Sequence, residues 1–458
     1  MTSSVQTKIK SINRLKSMYA LRAEVDKMYE AGEEATNTGK PVAWVMLGQW
    51  AEPILTAMDV ISIYPENYGS VCAAAGKATP FLEASDAEGF PSHLCGYARN
   101  CFGYSAKMLE LGGKIPPSAP MGGMPSPTLL VASSEVCDAR FKWFQALGRY
   151  FKAPLWTIES PYPSLKESLE EGTDERSIQF LVRQLREFVY FLEQLLGRKM
   201  NWDKLDEVSR GLAAINRLRW EINQLRKAHP GPMHSKDLWS TITAAFFRGS
   251  ASKVVIEGFQ KMLNEVKQRV ENGVSALNVE EKFRLSFEGL PPWHSLDIFD
   301  KLAARGWNFV IETIYKPYPP VNIDLTKYDD PLERYVRERF QSTNNTLAVE
   351  YTPEEAAIIR NEIRSTGNST LLAVKHVRDC QCDGMFIHIL LSCRSASLNL
   401  LAFQHKAMTS LKVPALVIEG DMVNASLFDP ADLLKKAEVF EETMAYYKQV
   451  RNEAGIMQ

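Results

Sequence analysis

The 458-residue chain lacks the short motifs that identify the commonest enzyme sites. It contains no GxGxxG, GxSxG or HExxH pattern, so a standard nicotinamide fingerprint, a serine hydrolase elbow and a zincin site are all unsupported. The glycine-rich segment GSVCAAAGKAT (residues 69–79) has six residues between its two glycines, more than the phosphate-binding pattern allows. The sequence therefore predicts no phosphate loop in this chain.

A strong net charge and long apolar runs are also missing. The formal charge of -2 gives no electrostatic attraction to nucleic acid or to an anionic membrane. No run of about eighteen apolar residues occurs, and residues 1–22 carry Lys8, Lys10, Arg14 and Lys16 without a continuous apolar segment. We expect a cytoplasmic protein that binds neither nucleic acid nor membrane.

The seven cysteines include no CxxC pair, which argues against a zinc finger. Three of them, Cys95, Cys137 and Cys393, lie in polar or Gly/Ser-flanked segments distant from one another in the chain. Any site that they share has to be assembled by the fold, as for a buried cluster or cofactor. A lone cysteine is more often a small buried residue than a ligand, and the residues by themselves leave both alternatives open for these three.

The other candidate ligands show weaker patterns. Cys72 and Cys101 are interpreted as packing residues, and so are Cys380 and Cys382, although this last pair could bind a metal. It precedes a predicted strand and should lie at the opposite end of that strand from Cys393. The seven histidines show no metal-ligand spacing, so a structural or surface role is expected for each.

Short apolar runs alternate with helical patterns, which predicts an α/β fold with parallel sheets. Strands are predicted near residues 41–47, 60–63, 128–132, 154–158, 308–312, 385–391 and 415–419. Helical periodicity dominates residues 174–196, 203–227, 235–247 and 252–271. The predicted organisation is an N-terminal helical arm (1–38), a first α/β lobe (39–165), a helical segment (166–290) and a second α/β lobe (291–458).

Several short segments occur in the order seen in one known family. They are YPEN (64–67), CGYAR (95–99), Cys137 followed by KWF (142–144), FEG (287–289), His388 followed by SCR (392–394), and EGD (419–421). In this ordered combination, over residues 41–444, the chain resembles the superfamily of 2-hydroxyacyl-CoA dehydratases and ATP-dependent (class I) benzoyl-CoA reductases. It is similar to one subunit of their heterodimeric catalytic component.

The resemblance implies two Rossmann-like lobes and one [4Fe-4S] cluster held by three cysteines, with one iron left open to a small ligand. By position, the three cysteines are Cys95, Cys137 and Cys393. Thiolates are the soft ligands that iron-sulfur clusters require. Arg99 and Arg394 are candidates to tune the cluster, to bind CoA phosphate, or to form structural ion pairs.

The family also implies partners. A second homologous subunit completes the catalytic component, and a separate iron-sulfur activator hydrolyses ATP and delivers single electrons to it. The missing phosphate loop agrees with that division. The acyl thioester accepts an electron to form a ketyl-type radical anion, after which dehydratases expel a hydroxyl group and reductases reduce an aromatic ring.

The segment after the first predicted strand bears on the choice of branch. It is serine-rich in the dehydratase subunit that this chain resembles, but here it reads VMLGQWAEP (residues 45–53), without a hydroxyl group. Gln49 and Trp50 suit a flat apolar acyl group with a polar anchor, although Trp50 could equally be a core residue beside Pro53. With Glu66 and Arg99, they are the candidate substrate-binding residues.

The leading hypothesis is therefore a cluster-bearing subunit of a benzoyl-CoA reductase-type enzyme that reduces an aromatic acyl-CoA. The alternatives are a subunit of a 2-hydroxyacyl-CoA dehydratase and a non-catalytic electron-transfer or scaffold subunit.

Overall fold

The computed structural model describes residues 10–46, 50–161, 173–246, 252–320, 323–344 and 368–456. Its strands form two four-stranded sheets, and every strand pair in both is parallel. The predicted α/β fold, with two parallel-sheet lobes, intervening helices and an N-terminal helical arm, is confirmed. Within the described residues, no helix is long and apolar enough to span a bilayer.

The two sheets have the same strand order. The first is ordered β2-β1-β3-β4, and its strands are β1 Val42–Val45, β2 Ile61–Ile63, β3 Leu129–Ser133 and β4 Leu155–Ile158. The second is ordered β6-β5-β7-β8, and its strands are β5 Phe283–Glu288, β6 Trp307–Glu312, β7 Gly384–Leu390 and β8 Ala415–Gly420. Strands β1 and β5, β2 and β6, β3 and β7, and β4 and β8 therefore occupy matching positions.

Helices surround the sheets and connect the lobes. In the first lobe and its arm they are α1 Ser17–Thr38, α2 Glu52–Ala57, α3 Pro65–Ala74, α4 Thr79–Ala87, α5 Gly96–Glu110 and α6 Ala139–Phe151. Between the lobes they are α7 Thr173–Leu196, α8 Trp202–Leu225, α9 Ser235–Phe246 and α10 Lys253–Glu271. In the second lobe they are α11 Ile298–Ala304, α12 Pro331–Asn344, α13 Asn368–Asp379, α14 Arg394–Ser397, α15 Leu400–Leu411 and α16 Pro430–Ala454.

The intervening helices form where the apolar spacing predicted them. In α7, Leu181, Leu185 and Phe188 are fully buried and form the apolar stripe expected of an amphipathic helix. Helices α8 and α10 begin at polar caps: Asn201 accepts a hydrogen bond from the Lys204 amide, and Ser252 accepts one from the Val255 amide.

The N-terminal arm is attached to the intervening helices by polar contacts. Arg14 forms an ion pair with the buried Asp237, and the Glu265 carboxylate accepts hydrogen bonds from the amide and hydroxyl of Ser17. The helix of the arm begins at Ser17, and before it Ile12 forms an antiparallel bridge with Leu277. The arm is therefore packed against the rest of the chain.

Strand β5 was not among the predicted strands, and it lies near the end of the segment that the sequence predicted as helical. It pairs with β6 on one side and β7 on the other, so the second sheet includes residues 283–288. Arg284, Ser286 and Glu288 alternate along the strand, which is the pattern of a strand with one exposed face, yet all three are buried. For Arg284, protein partners replace solvent, since its guanidinium group donates to the Cys380 and Ala228 carbonyl oxygens and to Glu281.

Candidate functional site

Two of the three singled-out cysteines follow matching strands of the two sheets. Cys137 comes four residues after β3 ends at Ser133, and Cys393 comes three residues after β7 ends at Leu390. The carboxyl ends of parallel strands meet at one edge of a sheet, where ligands of open α/β sheets gather. Cys95 comes from a different type of element, as the residue that immediately precedes helix α5.

Hydrogen bonds join the three cysteine-containing segments to one another. The Ser395 hydroxyl donates to the Val136 carbonyl oxygen over 2.7 Å, and Arg394 forms an ion pair with Asp138. The amide of Gly96 donates to the Ser392 hydroxyl oxygen over 3.0 Å. The segment with Cys393 therefore contacts both first-lobe segments that contain a singled-out cysteine.

The Gly96 position shows how closely the lobes approach. A Cβ atom at this residue would lie 2.6 Å from an Asp421 carboxylate oxygen and 3.2 Å from the Val423 Cβ. Asp421 itself accepts hydrogen bonds from the amides of Val423 and Asn424, each over 2.8 Å, and from the Ser392 hydroxyl. The EGD segment thus helps to hold the Cys393 loop against the start of helix α5.

The three cysteines each lie just before a helix or its first turn. Burial raises the pKa of each thiol, and backbone amides at the start of the helix that follows partly oppose this effect: Tyr97 and Ala98 for Cys95, Ala139 and Arg140 for Cys137, and Ala396 for Cys393. Cys72 and Cys101 lie inside helices, and Cys380 and Cys382 lie in the turn before β7. Amides directed at a sulfur stabilise a thiolate.

The thiols also act on one another electrostatically. Burial raises the pKa of Cys95 well above its usual value, and negative charge on Cys393 raises it further. Burial likewise raises the pKa of Cys393 to about 11, with an added contribution from Cys137. Ionisation of one of these thiols therefore opposes ionisation of the next, and a bound cation would offset that repulsion.

An arginine that sequence reasoning missed lies beside this group. Arg140 is buried, donates to both carboxylate oxygens of Glu66 over 3.0 Å, and donates to the Glu135 carbonyl oxygen over 2.9 Å. Burial by itself would lower the pKa of Arg140, but Glu66 and Cys137 outweigh it, and the pKa is raised. Nothing in the CDAR segment distinguished this arginine from a surface residue of a helix.

Aromatic residues of both lobes adjoin the cysteines. The Trp293 indole N–H donates to the Tyr97 hydroxyl over 2.6 Å, and the Trp293 and Tyr315 rings lie 6.4 Å apart. Glu66 and Cys393 both influence the Tyr315 hydroxyl electrostatically. Glu66 follows β2 and Tyr315 follows β6, so the matching strands again contribute to one site.

Two residues of the site have backbone conformations that side-chain-bearing residues seldom adopt. Val136 and Tyr315 both have φ of 73°. This is the left-handed region, which is unfavourable for a β-branched or bulky residue and occurs where surrounding contacts impose it. Val136 immediately precedes Cys137, so the unusual backbone lies next to a candidate ligand.

The 2-hydroxyglutaryl-CoA dehydratase D-component family model matches residues 49–444, most of the chain. The chain belongs to this family. The (R)-2-hydroxyisocaproyl-CoA dehydratase alpha subunit of Clostridioides difficile is 24% identical over 425 residues, 93% of this chain and 95% of the relative. The (R)-phenyllactyl-CoA dehydratase alpha subunit of Clostridium sporogenes is 23% identical over 442 residues, 96% of this chain and 98% of the relative.

A relative with a different activity is similar to the same extent. One subunit of the benzoyl-CoA reductase of Thauera aromatica is 25% identical over 450 residues, which are 94% of this chain and 94% of the relative. Enzymes named as dehydratases and as a reductase are thus both similar to this chain, at nearly equal identity. An enzyme subunit of this superfamily is supported, and the type of reaction belongs to the proposal below.

The donor set that the sequence singled out consists of three cysteine thiols. In the described part of the chain, no group of three or more His, Cys, Asp or Glu side chains is placed to hold one ion. A cluster needs one thiolate on each of several irons, so its ligands are spread more widely than those of one ion. Cys95, Cys137 and Cys393 are free thiols with amide-supported sulfurs, which suits thiolate ligands of such a cluster.

The other predicted substrate contacts have specific environments. Trp50 is buried, and its indole N–H donates to Ser160 over 2.7 Å and also to Glu135. This placement matches the core alternative for Trp50, since its polar group is engaged within the first lobe. Gln49 lies outside the described residues.

Arg99 and Glu66 differ in their relation to the cysteines. The buried Arg99 pairs with Asp86 of helix α4 and donates to the Ser92 carbonyl oxygen over 3.4 Å, as in the structural ion-pair alternative. Glu66 is partly exposed, and its charge influences Cys95, Cys137 and Cys393. Of the described substrate candidates, Glu66 is the one whose charge acts on all three cysteines.

Two motif residues of the second lobe are buried and neutral near pH 7. Burial raises the pKa of Glu288 to about 8, with Glu312 adding to the effect and the Thr313 and Ser286 hydroxyls opposing it. Burial also lowers the pKa of His388 to about 4, and its Nδ1 is 2.7 Å from the Leu290 carbonyl oxygen. Both side chains are therefore uncharged members of the buried interior of the second lobe.

Proposed function

We propose that the chain is the [4Fe-4S]-bearing subunit of an enzyme that activates an acyl-CoA by single-electron reduction, with Cys95, Cys137 and Cys393 as the cluster ligands. The observation that carries the proposal is the set of hydrogen bonds joining the three cysteine segments between the lobes. A cluster held there would supply a low-potential electron to the acyl thioester.

The residues around the cysteines have identifiable tasks in this proposal. Amides at the starts of three helices stabilise the thiolates and thereby affect the cluster potential. Arg140 holds the Glu66 carboxylate in a two-oxygen contact, so that Glu66 presents a fixed polar group beside the cysteines. Glu66 is the proposed anchor for the polar end of the acyl group.

A 2-hydroxyacyl-CoA dehydratase is the branch that the family match favours. Its D-component description covers residues 49–444, and the Clostridioides difficile and Clostridium sporogenes relatives are named as dehydratase alpha subunits. The engagement of Trp50 within the first lobe removes one reason for preferring a flat aromatic substrate. Elimination of a hydroxyl group after single-electron reduction is therefore the first reaction to test.

A benzoyl-CoA reductase-type activity is the second candidate. The relative from Thauera aromatica carries that name at 25% identity, and the segment at residues 45–53 lacks hydroxyl side chains. Reduction of an aromatic acyl-CoA uses the same electron donor and the same thioester activation. The two branches differ in whether a hydroxyl group leaves or a ring is reduced.

The surface next to the cysteines suits a second subunit. Val136, Leu391, Leu398 and Leu401 are 55%, 53%, 77% and 57% exposed and lie in or beside the Cys137 and Cys393 segments. Exposed apolar residues concentrated at one place favour a protein interface. The relatives are each named as one subunit of an enzyme, so a homologous subunit is the proposed occupant, and an ATP-hydrolysing activator is the proposed electron source.

Anaerobic reconstitution tests the proposal. The chain is co-expressed with a second subunit and an activator of this superfamily, and iron, sulfide and turnover are measured with a reductant, ATP and either a 2-hydroxyacyl-CoA or benzoyl-CoA. We expect about four irons per chain, lost on exposure to air. Folded protein without iron contradicts the proposal, and iron without turnover of either substrate supports the scaffold alternative.

A further inference from the structure

A tight turn follows strand β3 and leads to Cys137. The Cys137 amide donates to the Glu135 carbonyl oxygen over 2.9 Å, and the residue between them, Val136, has a φ of 73°. A hydrogen bond that spans two residues, with a positive φ at the central one, defines the rare and strained form of the γ-turn. A β-branched central residue makes this turn still less favourable, so contacts with the rest of the protein have to impose it.

The side chain of Glu135, the first residue of the turn, accepts hydrogen bonds from two donors. This side chain is buried, and one of its carboxylate oxygens accepts from the Ser160 hydroxyl over 2.5 Å. The Trp50 indole N–H donates to the same Glu135 oxygen and to the Ser160 hydroxyl oxygen, the latter over 2.7 Å. An indole N–H can only donate, and a serine hydroxyl has one hydrogen, so the direction of each of these bonds is determined.

The donors come from both strands that flank β3. Trp50 follows β1 and Ser160 follows β4, and these strands are the two neighbours of β3 in the first sheet. The Ser160 amide also donates to the Ser134 hydroxyl oxygen over 2.9 Å, and Arg140 donates to the Glu135 carbonyl oxygen over 2.9 Å. The turn is therefore held at its first residue through both the side chain and the backbone.

The Trp50 ring is enclosed by helix α12. It lies 6.0 Å from the Tyr335 ring in an edge-to-face arrangement, and the Arg339 guanidinium carbon lies 5.8 Å from its centroid. The Trp50 side chain is buried, and its polar atom is used within the first lobe. These contacts fix the ring with its N–H directed at Glu135.

We propose that Trp50 is a positioning residue for the Cys137 ligand. This inference rests on the proposed function. Acting through Glu135 and Ser160, the indole N–H keeps the strained turn in the conformation that presents the Cys137 thiol. Without this donor, the buried Glu135 carboxyl group loses a hydrogen bond, and the turn can relax to a less strained conformation that displaces Cys137.

Trp50→Phe tests the assignment in the assembled enzyme, purified anaerobically. Phenylalanine keeps an aromatic ring beside Tyr335 but removes the N–H group. We expect the variant to lose iron to a chelator roughly 10–100-fold faster than wild type, as for loss of a residue that orients a metal ligand. We also expect a changed EPR spectrum of the chemically reduced cluster, which a merely structural role of Trp50 would leave unaltered.

Trp156→Phe is the matched control. Trp156 lies in β4 of the same sheet, and its indole nitrogen is buried without a hydrogen-bond partner within the part of the chain that the structure describes. The same substitution there removes an N–H group that supports no turn. It should change neither the rate of iron loss nor the EPR spectrum.

A second variant covers the case in which Trp50→Phe fails to fold. Ser160→Ala removes one oxygen atom and leaves the Trp50 ring in place, so faster iron loss is again expected. Ser160→Thr retains a hydroxyl group and should restore the wild-type rate.

The outcomes distinguish this inference from the proposed function. Wild-type iron loss and an unchanged EPR spectrum in folded, iron-loaded Trp50→Phe or Ser160→Ala enzyme overturn this inference alone. A raised KM for the acyl-CoA in Trp50→Phe, with iron loss unchanged, overturns it in favour of a substrate contact. Assembled wild-type enzyme that carries no iron overturns the proposed function, and this inference with it.

Discussion

The two lobes share a topology but supply different chemistry to the site. Both sheets are parallel, with matching strand orders β2-β1-β3-β4 and β6-β5-β7-β8. Each places a cysteine after its third strand in that order, yet the first lobe adds Cys95 from helix α5, and the second adds Trp293 and Tyr315. The common topology determines where the side chains meet, and the loops determine which side chains they are.

The two lobes also differ in how far their arginine-paired glutamate side chains are exposed to solvent. In the first lobe, Arg140 binds Glu66, whose side chain is 19% exposed. In the second, Arg226 binds Glu312, whose side chain is 1% exposed, while one oxygen of the nearby Glu288 has no hydrogen-bond partner among the described residues. The first lobe thus places the Glu66 carboxylate next to the site. The second lobe instead buries a neutral carboxyl group, that of Glu288, in its interior.

The largest expected effect comes from replacing Cys393, the candidate ligand that the second lobe contributes. Cys393→Ser leaves the proposed cluster with ligands from the first lobe alone, so we expect loss of nearly all iron and of turnover, as for Cys95→Ser and Cys137→Ser. Cys382→Ala, near the other end of strand β7, is the matched control and should retain iron. Iron and sulfide analysis of anaerobic protein provides the measurement.

The opposite pattern would revise the ligand set. If Cys382→Ala lost iron while Cys393→Ser kept it, the second-lobe ligand would be Cys382, which lies before β7 rather than after it. Loss of iron in Cys72→Ser, with full iron in Cys137→Ser, would move the site towards helix α3, which contains both Cys72 and Glu66.

The next largest effect separates the two ion pairs. Arg226→Gln leaves the buried Glu312 carboxylate without its counter-charge. We expect this to lower the free energy of unfolding by about 3–5 kcal/mol. Arg140→Gln leaves Glu66 partly hydrated, so a smaller loss of about 1–3 kcal/mol is expected. Denaturant unfolding of both variants measures the difference, and equal losses would show that the lobes do not differ in this respect.

The smallest effect concerns pH and Glu288. Its folded pKa of about 8 exceeds the value of about 4.3 in an unfolded chain, so the folded protein binds the extra proton between these pH values. The resulting stabilisation is complete below the unfolded pKa and is lost as pH rises through the folded pKa. Glu288→Gln should therefore lose less stability than wild type between pH 6 and about 8, by roughly 1–3 kcal/mol.

Thermal unfolding at a series of pH values checks this prediction. Glu281→Gln is a control on a partly exposed carboxylate paired with Arg284, in the turn before β5. Parallel pH profiles for wild type and Glu288→Gln would mean that Glu288 is ionised in the folded protein.

Much of the fold could be predicted because local patterns agree with tertiary burial. The spacing in helix α7 and the apolar runs at β1, β3 and β7 match the faces that the structure buries. Strand β5 could not be predicted, since Arg284 and Glu288 are polar and their burial depends on partners from distant parts of the chain. Arg284, for example, donates to the carbonyl oxygens of Ala228 and Cys380.

The features of the candidate site likewise fall into those that the sequence determined and those that the tertiary structure decided. The sequence by itself determined the parallel α/β lobes, the unusual surroundings of Cys95, Cys137 and Cys393, and the family resemblance, because these depend on local residue order. Only the tertiary structure decided that the three segments hydrogen-bond to one another and that Arg140 binds Glu66. These contacts join residues that are far apart in the chain, which no local pattern encodes.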